Sequence, residues 1–185
     1  FVGKLNKAKG YDIFSKAILK ILNKYPDWTA KIIGDEKREK INLIHKNADI
    51  LGFQRHEDVI KIFKKTSIAV ACSRWEEPFG RTSLESSSCG CAVIITNRGG
   101  LPETITNGVI VDKLSKLNIY NAIEKLILNK KIRTNLQKLS IKNFILTNKN
   151  ASNLIDAYRE KILKNLIEKK KKKLKILHVT NFNER

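Results

Sequence analysis

The sequence predicts a doubly wound, Rossmann-like α/β domain on a parallel sheet, and three observations carry that prediction. Short apolar runs rich in β-branched residues recur along the chain. Segments with helical apolar periodicity separate them. Most of the chemically distinctive residues fall in turns where a run ends and a helical segment begins, and in this layer structure ligands lie there, beyond the carboxyl ends of the strands.

The elements follow in order. Residues 1–3, FVG, are the tail of an earlier strand. Residues 11–25 place Ile13, Phe14, Ala17, Ile18, Ile21 and Leu22 on one face of a helix, with the lysines elsewhere. AKIIG (30–34) and ADILGF (48–53) are strands, and His45 between them falls among helix residues at the surface. Residues 56–64 repeat the helical pattern with Val59, Ile60 and Phe63. SIAVAC (67–72) is a strand, SRWEEP its turn, and Gly80 to Ser83 open the next helix. AVIIT (92–96) leads into a tight turn at Gly99 and Gly100, with Pro102 at a helix start, before the strand GVIVD (108–112). Helical segments follow near 117–129, 131–140 and 150–167.

At 185 residues the chain is long enough for one such domain with a buried core and short for two. The main domain is assigned to residues 1–167. Phe1 lies inside an apolar stretch and the chain contains no methionine, so the natural start is expected upstream and the domain N-terminally truncated. EKKKKKLK (168–175) is a block of like charge, expected to be a solvated linker, extended or frayed. KILHVT (175–180) then reads as a fresh strand, so residues 176–185 are either a tail or the first strand of a following domain.

The formal net charge of +19 favours polyanionic partners such as nucleic acid, anionic lipid headgroups or phosphorylated ligands. Only 7% of the residues are aromatic and no basic-aromatic interleaving or recognition motif occurs, which argues against a nucleic-acid module. Lys169 to Lys173 offer a surface for an anionic membrane, at the inner face if anywhere. Three cysteines, Cys72, Cys89 and Cys91, form a poor disulfide framework and lack zinc-ligand spacing, so they read as core residues of a reduced, cytoplasmic protein.

The chemistry concentrates in residues 76–85, EEPFGRTSLE. A helix opening at Gly80 presents unpaired N–H groups and a partial positive charge, a ready phosphate site. Gly80 admits the anion close to the backbone, and Arg81 adds a charge-assisted contact. Glu85, about one turn further on, is badly placed for phosphate but suited to accept hydrogen bonds from a vicinal diol such as a ribose. Glu77, in the turn before the helix, faces the other side of the phosphate, where sugar hydroxyls suit it. Polyol, phosphate and polyol together describe a nucleotide-sugar. Ser86, Ser87 and Ser88 form no nucleophile elbow, Trp75 either stacks on a ligand or anchors its loop, and His56 either starts a helix or borders a base.

Glu77-Pro78-Phe79-Gly80 through Leu84-Glu85, with seven residues between the two glutamates, resembles the hallmark of the C-terminal domain of GT-B glycosyltransferases of family 4. Gly99-Gly100-Leu101-Pro102-Glu103 with Asn107-Gly108, and Gly3-Lys4-Leu5 with Lys9-Gly10, resemble two further hallmarks, and the blocks span roughly residues 1–165 in the family's order. The resemblance implies retaining transfer of a sugar from a nucleoside diphosphate sugar (UDP-, GDP- or ADP-linked) to a hydroxyl acceptor, in glycan, lipopolysaccharide or glycolipid synthesis. It also implies that Lys4 and Lys9 bind the diphosphate, Glu77 the donor sugar, the Phe79 and Gly80 backbone the sugar or distal phosphate, Glu85 the ribose, with Gly99 and Gly100 beside the donor. The turn of Gly52 and Phe53 would border the base. Lys4 departs from the arginine usual in the family and loses its bidentate fork. No Asp-x-Asp occurs, so diphosphate binding is expected without a metal or other cofactor. The acceptor glycan or lipid would be held by a second domain preceding Phe1, and the 185 residues alone are expected to be inactive.

Overall fold

Every residue of the strand Ala92–Thr96 (β4) is buried, and the rest of the domain is layered around it. The computed structural model describes residues 1–179 and divides into two units, Phe1–Phe144 and a second that begins at Ile145. In the first unit β1 (Ala30–Ile32) pairs in parallel with β2 (Ala48–Ile50), and Val2 adds a parallel bridge to Ile33. β3 (Ile68–Ala71), β4 and β5 (Gly108–Val111) form a second parallel sheet in that order, with Ile68 opposite Ala92 and Val93 opposite Gly108.

Successive side chains of β4 point to opposite faces and so enter two separate cores. Ala92 and Ile94 join Ile18, Ile21, Ile119 and Leu126, contributed by α1 (Tyr11–Lys24) and α4 (Lys116–Leu128). Val93 and Ile95 join Val59 and Phe63 of α2 (His56–Phe63), together with Leu101. A strand covered on both faces has no polar side, and this is why the runs read as continuous apolar segments instead of alternating ones. Each fully buried side chain of this kind stabilises the fold by roughly 1.5–3 kcal/mol. α3 (Arg81–Ser88), a 3₁₀ turn (Leu101–Thr104) and α5 (Lys130–Lys142) complete the unit.

Two stretches differ from the sequence reading. Residues 36–45 form no regular structure, so His45 belongs to a loop: only Leu43 of that stretch is buried, too little for an amphipathic stripe, and the His45 Nδ1 accepts the Asn47 N–H at 3.1 Å. The lysine run is helical. α6 (Asn148–Val179) passes through residues 168–175, expected to be extended or frayed, and through 175–179, expected to start a strand. Lysine, leucine and glutamate are good helix formers, no glycine or proline interrupts the segment, and extending a helix is far easier than nucleating one. Residues 180–185 lie outside the described residues.

A cavity of about 390 Å³ lies along the free edge of β3 among core side chains such as Phe1, Phe14, Ile18 and Val70. It contains none of the candidate site residues.

α1 and α4 are joined through Glu124, whose Oε1 accepts from Lys24 Nζ at 2.9 Å, Tyr25 OH at 2.8 Å and Tyr120 OH at 2.5 Å. The Tyr120 hydroxyl first, then Lys24 and Tyr25, bring its pKa down to about 2 from the ordinary 4.5. A depressed carboxyl pKa stabilises the fold above the unfolded value and is lost as pH falls through the folded one. Urea unfolding should therefore show the native chain more stable than Glu124→Gln near neutral pH, and the difference should vanish between pH 4.5 and about 2.

Candidate functional site

Parallel strands end on a common edge, and here the segments after Val2, β3 and β4 meet. They carry residues 3–10, 73–80 and 97–100. A cavity of about 300 Å³ opens among them, lined by Gly3, Lys9, Glu77, Phe79, Gly80 and Arg81, with Leu101 also at its wall.

Lys9 and Glu77 form the polar centre. The Lys9 ammonium donates to Glu77 Oε1, and the Glu77 side chain is only 12% exposed. A carboxylate so removed from water needs a partner charge, and Lys9 supplies it. The Lys9 backbone is held as well, its N–H donating to Asn6 Oδ1 at 3.0 Å.

Gly80 precedes α3 with φ 101°, a left-handed conformation that suits glycine. A Cβ there would lie 2.6 Å from Leu101 Cδ2. No side chain caps this helix start, so its first N–H groups remain directed at the cavity end. Ser83 turns inward instead, donating to the Gly80 carbonyl at 2.7 Å and lying 2.6 Å from Thr104 Oγ1.

Glu85 lies one turn into α3, where Arg81 Nη2 donates to its Oε1 at 3.3 Å and His56 Nδ1 stands 3.8 Å away. Arg81, read from sequence as a phosphate ligand, is thus on the cavity wall with its guanidinium turned to Glu85. His56, which opens α2 shortly after the turn of Gly52 and Phe53, is the residue of that segment that stands near Glu85. Gly52 is left-handed at φ 65° and Phe53 is 77% exposed, an open aromatic face at the start of α2.

Gly99 and Gly100 pack on the backbone of the Glu77 loop. Gly100 N–H donates to the Glu77 carbonyl at 2.7 Å, and Gly99 N–H to Glu76 Oε2 at 2.6 Å. The structure therefore brings together Lys9, Glu77, Phe79, Gly80 and Arg81, with Gly99 and Gly100 directly behind Glu77. Lys4 is exposed and outside the cavity lining. Sequence reading missed Asp12, Arg74, Glu76 and Arg98, which tie the loops to one another. Cys72 and Cys91 are buried, their thiols pushed up to about 12 by desolvation, which suits the core role read for them. Among the described residues no three His, Cys, Asp or Glu side chains gather as a metal site, and no helix is long and apolar enough to cross a membrane.

A two-faced parallel sheet whose strand-end loops enclose a cavity with a lysine–carboxylate pair beside an uncapped helix start defines the class of this α/β domain. The chain belongs to the family described as glycosyl transferases group 1, which matches residues 1–143. It is 27% identical over 153 residues to a D-inositol 3-phosphate glycosyltransferase of Corynebacterium jeikeium, covering 72% of this chain and 36% of that protein. The C-terminal domain of a glycosyl transferase group 1 family protein, LpcC, from Francisella tularensis superposes with a TM-score of 0.70 at 28% identity, covering 80% of this chain and 83% of that one. Anabaena HepE, solved in complex with UDP, shares the fold, with a TM-score of 0.66 at 22% identity over 85% of this chain and 48% of that one. The chain spans about a third of the length of the curated relatives it matches.

The two glycines at φ 51° and φ 65° separate backbone conformation from close approach. A Cβ at Gly99 would lie 2.3 Å from the Glu77 carbonyl oxygen and 2.6 Å from its nitrogen, whereas one at Gly52 meets nothing within 4 Å. Gly52→Ala should destabilise by the left-handed backbone cost alone, about 1 kcal/mol, and Gly99→Ala by clearly more, about 3 kcal/mol, both read by urea unfolding.

Proposed function

We propose that this chain is the donor-binding part of a retaining, metal-independent glycosyltransferase that moves a sugar from a nucleoside diphosphate sugar to a hydroxyl acceptor. The Lys9–Glu77 pair beside the start of α3 is the observation that carries the reading. A cation and a carboxylate side by side suit a ligand with phosphate on one side and hydroxyls on the other.

In this reading the donor diphosphate lies across the start of α3. Lys9 and the free N–H groups after Gly80 take its oxygens, and Lys4 swings in from the rim. Negative charge grows on the diphosphate as the sugar leaves, and fixed positive groups in a water-poor cleft stabilise that charge most where it develops. Glu77 accepts from the sugar hydroxyls, Glu85 from the ribose, and Phe53 flanks the base. Donors linked to UDP, GDP or ADP all fit this chemistry, and the UDP complex of HepE supports testing UDP first. The acceptor, a glycan or lipid, is held by a separate domain, and the isolated chain binds donor without appreciable turnover.

Thermal-shift titration with UDP-, GDP- and ADP-sugars tests this. At least one should raise the melting temperature, Glu85→Ala and Lys9→Ala should each weaken binding about tenfold or more, and EDTA should leave the shift unchanged. No shift with any donor would overturn the reading, and loss of the shift in EDTA would overturn metal independence.

A compatible second reading concerns α6. Ile155, Tyr158, Ile162 and Leu166 form an exposed apolar stripe at helical spacing, with Lys161 and Lys164 away from it. Such a helix suits the surface of an anionic membrane. Flotation with vesicles containing phosphatidylserine, but not with phosphatidylcholine alone, is expected, and Ile155→Asp with Ile162→Asp should abolish it; equal recovery with both vesicle types would refute it.

A further inference from the structure

Glu77 sits on a loop, and a loop by itself fixes a carboxylate poorly. Two ion pairs brace this loop from either side, and none of their four residues lines the cavity. On one side Arg74 faces the segment that carries Lys9. Its Nη1 donates to the Lys7 carbonyl at 2.5 Å and to Asp12 Oδ1 at 2.6 Å, and its Nη2 to Asp12 Oδ2 at 2.8 Å. The Ala8 carbonyl, next to Lys9, accepts from the backbone N–H of Arg74 at 2.9 Å, that of Trp75 at 3.1 Å and the Ser73 hydroxyl at 3.1 Å. On the other side Arg98 Nη1 donates to Glu76 Oε1 at 3.0 Å while Glu76 Oε2 takes the Gly99 N–H at 2.6 Å.

We propose that Arg74 with Asp12, and Glu76 with Arg98, are positioning residues that set Lys9 against Glu77 without touching the donor. Arg74 fixes where residues 7 and 8 stand relative to the Glu77 loop, and Lys9 is the next residue. A planar fork gripping both oxygens of Asp12 permits one orientation, which a lysine cannot reproduce. Hydrogen bonding to Arg74 also holds the Asp12 carboxyl below the usual aspartate range, so the pair persists at neutral pH. Glu76 acts alike on the glycine turn: it draws Gly99 against the backbone of residues 76–77, where a Cβ would collide. Glu76 and Arg98 are 65% and 45% exposed, and an ion pair so open to water adds little to folding stability. Its effect should appear in the placement of the loop.

The proposal rests on the donor reading above for its affinity arm, and a second arm is independent of any ligand. In the full-length protein that contains this chain, calorimetric titration would compare UDP, GDP and ADP with uridine, guanosine and adenosine. Arg74→Lys, Asp12→Asn and Glu76→Ala should each weaken the bound nucleoside diphosphate about tenfold or more, because displaced groups lose contacts out of proportion to their movement. The matching nucleoside should change less than about twofold, and Asp12→Asn with Arg74→Lys should be no worse than either alone. Hydrogen exchange read without ligand should rise at residues 7–10 and 77–80 in these variants, with Glu76→Ala melting close to wild type. Equal losses for diphosphate and nucleoside, or unchanged exchange in the two loops, would overturn the proposal. If the wild type binds none of the three diphosphates while exchange still rises, the donor reading fails and the bracing stands.

Discussion

Parallel pairing around a strand buried on both faces is the constraint from which the rest follows. β4 can bury both faces only if helices lie on each side, which requires crossovers, and crossovers make its neighbours run in the same direction. Strands that run together end together. The segments after Val2, β3 and β4 therefore emerge on one edge, where no strand remains to receive their backbone groups. Those groups bond to one another instead: the Ala8 carbonyl accepts three donors from the neighbouring segment, and the Glu77 carbonyl accepts Gly100 N–H. Close approach of backbone to backbone is what demands glycine at positions 10 and 99. A Cβ at Gly10 would lie 1.9 Å from the Cys72 carbonyl oxygen.

The same crowding explains how charge is used. A net charge of +19 suggests a surface crowded with unpaired cations, yet four cations around the site have carboxylate partners: Lys9 with Glu77, Arg74 with Asp12, Arg81 with Glu85, Arg98 with Glu76. Glu77, Asp12 and Glu85, drawn largely from water by the packing of loops, require those partners, and the partners thereby acquire fixed positions. The excess of lysine is therefore a poor guide to the site, which is read better from its few pairs.

Sequence reading located the central strand best because β4 is buried on both faces, so its β-branched run stands out without alternation, and it matches residue for residue. The places of Glu77, Gly80 and Glu85 were legible for a related reason: the first two stand at one strand-to-helix turn and the third lies one turn into the helix that follows, where local spacing carries the geometry. Asp12, Arg74, Glu76 and Arg98 were not legible. The Arg74–Asp12 and Arg98–Glu76 bonds join residues 62 and 22 positions apart, and no local pattern marks them. The spacing to Glu85 marked Glu77 alone, whereas the two neighbours divide the work, Glu77 lining the cavity and Glu76 bonding the glycine turn. The lysine run misled in the opposite sense, since a block of like charge was weighed for its repulsion while its helix propensity, with no breaker present, prevailed in α6.

The Lys9–Glu77 pair has a further consequence for how the site meets a ligand. Removing either partner from a half-enclosed pair leaves the other charge poorly solvated, so the two are coupled in stability as well as in binding. In the proposed reading an arriving anion would draw Lys9 toward itself, and Glu77 would then need new donors. Phosphate alone supplies none, whereas a ligand that brings hydroxyl groups beside its phosphate satisfies both at once. In the proposed reading the pair would thus favour the combination of the two groups over either one, through the desolvation of Glu77 that the packing of the three loops around it sets.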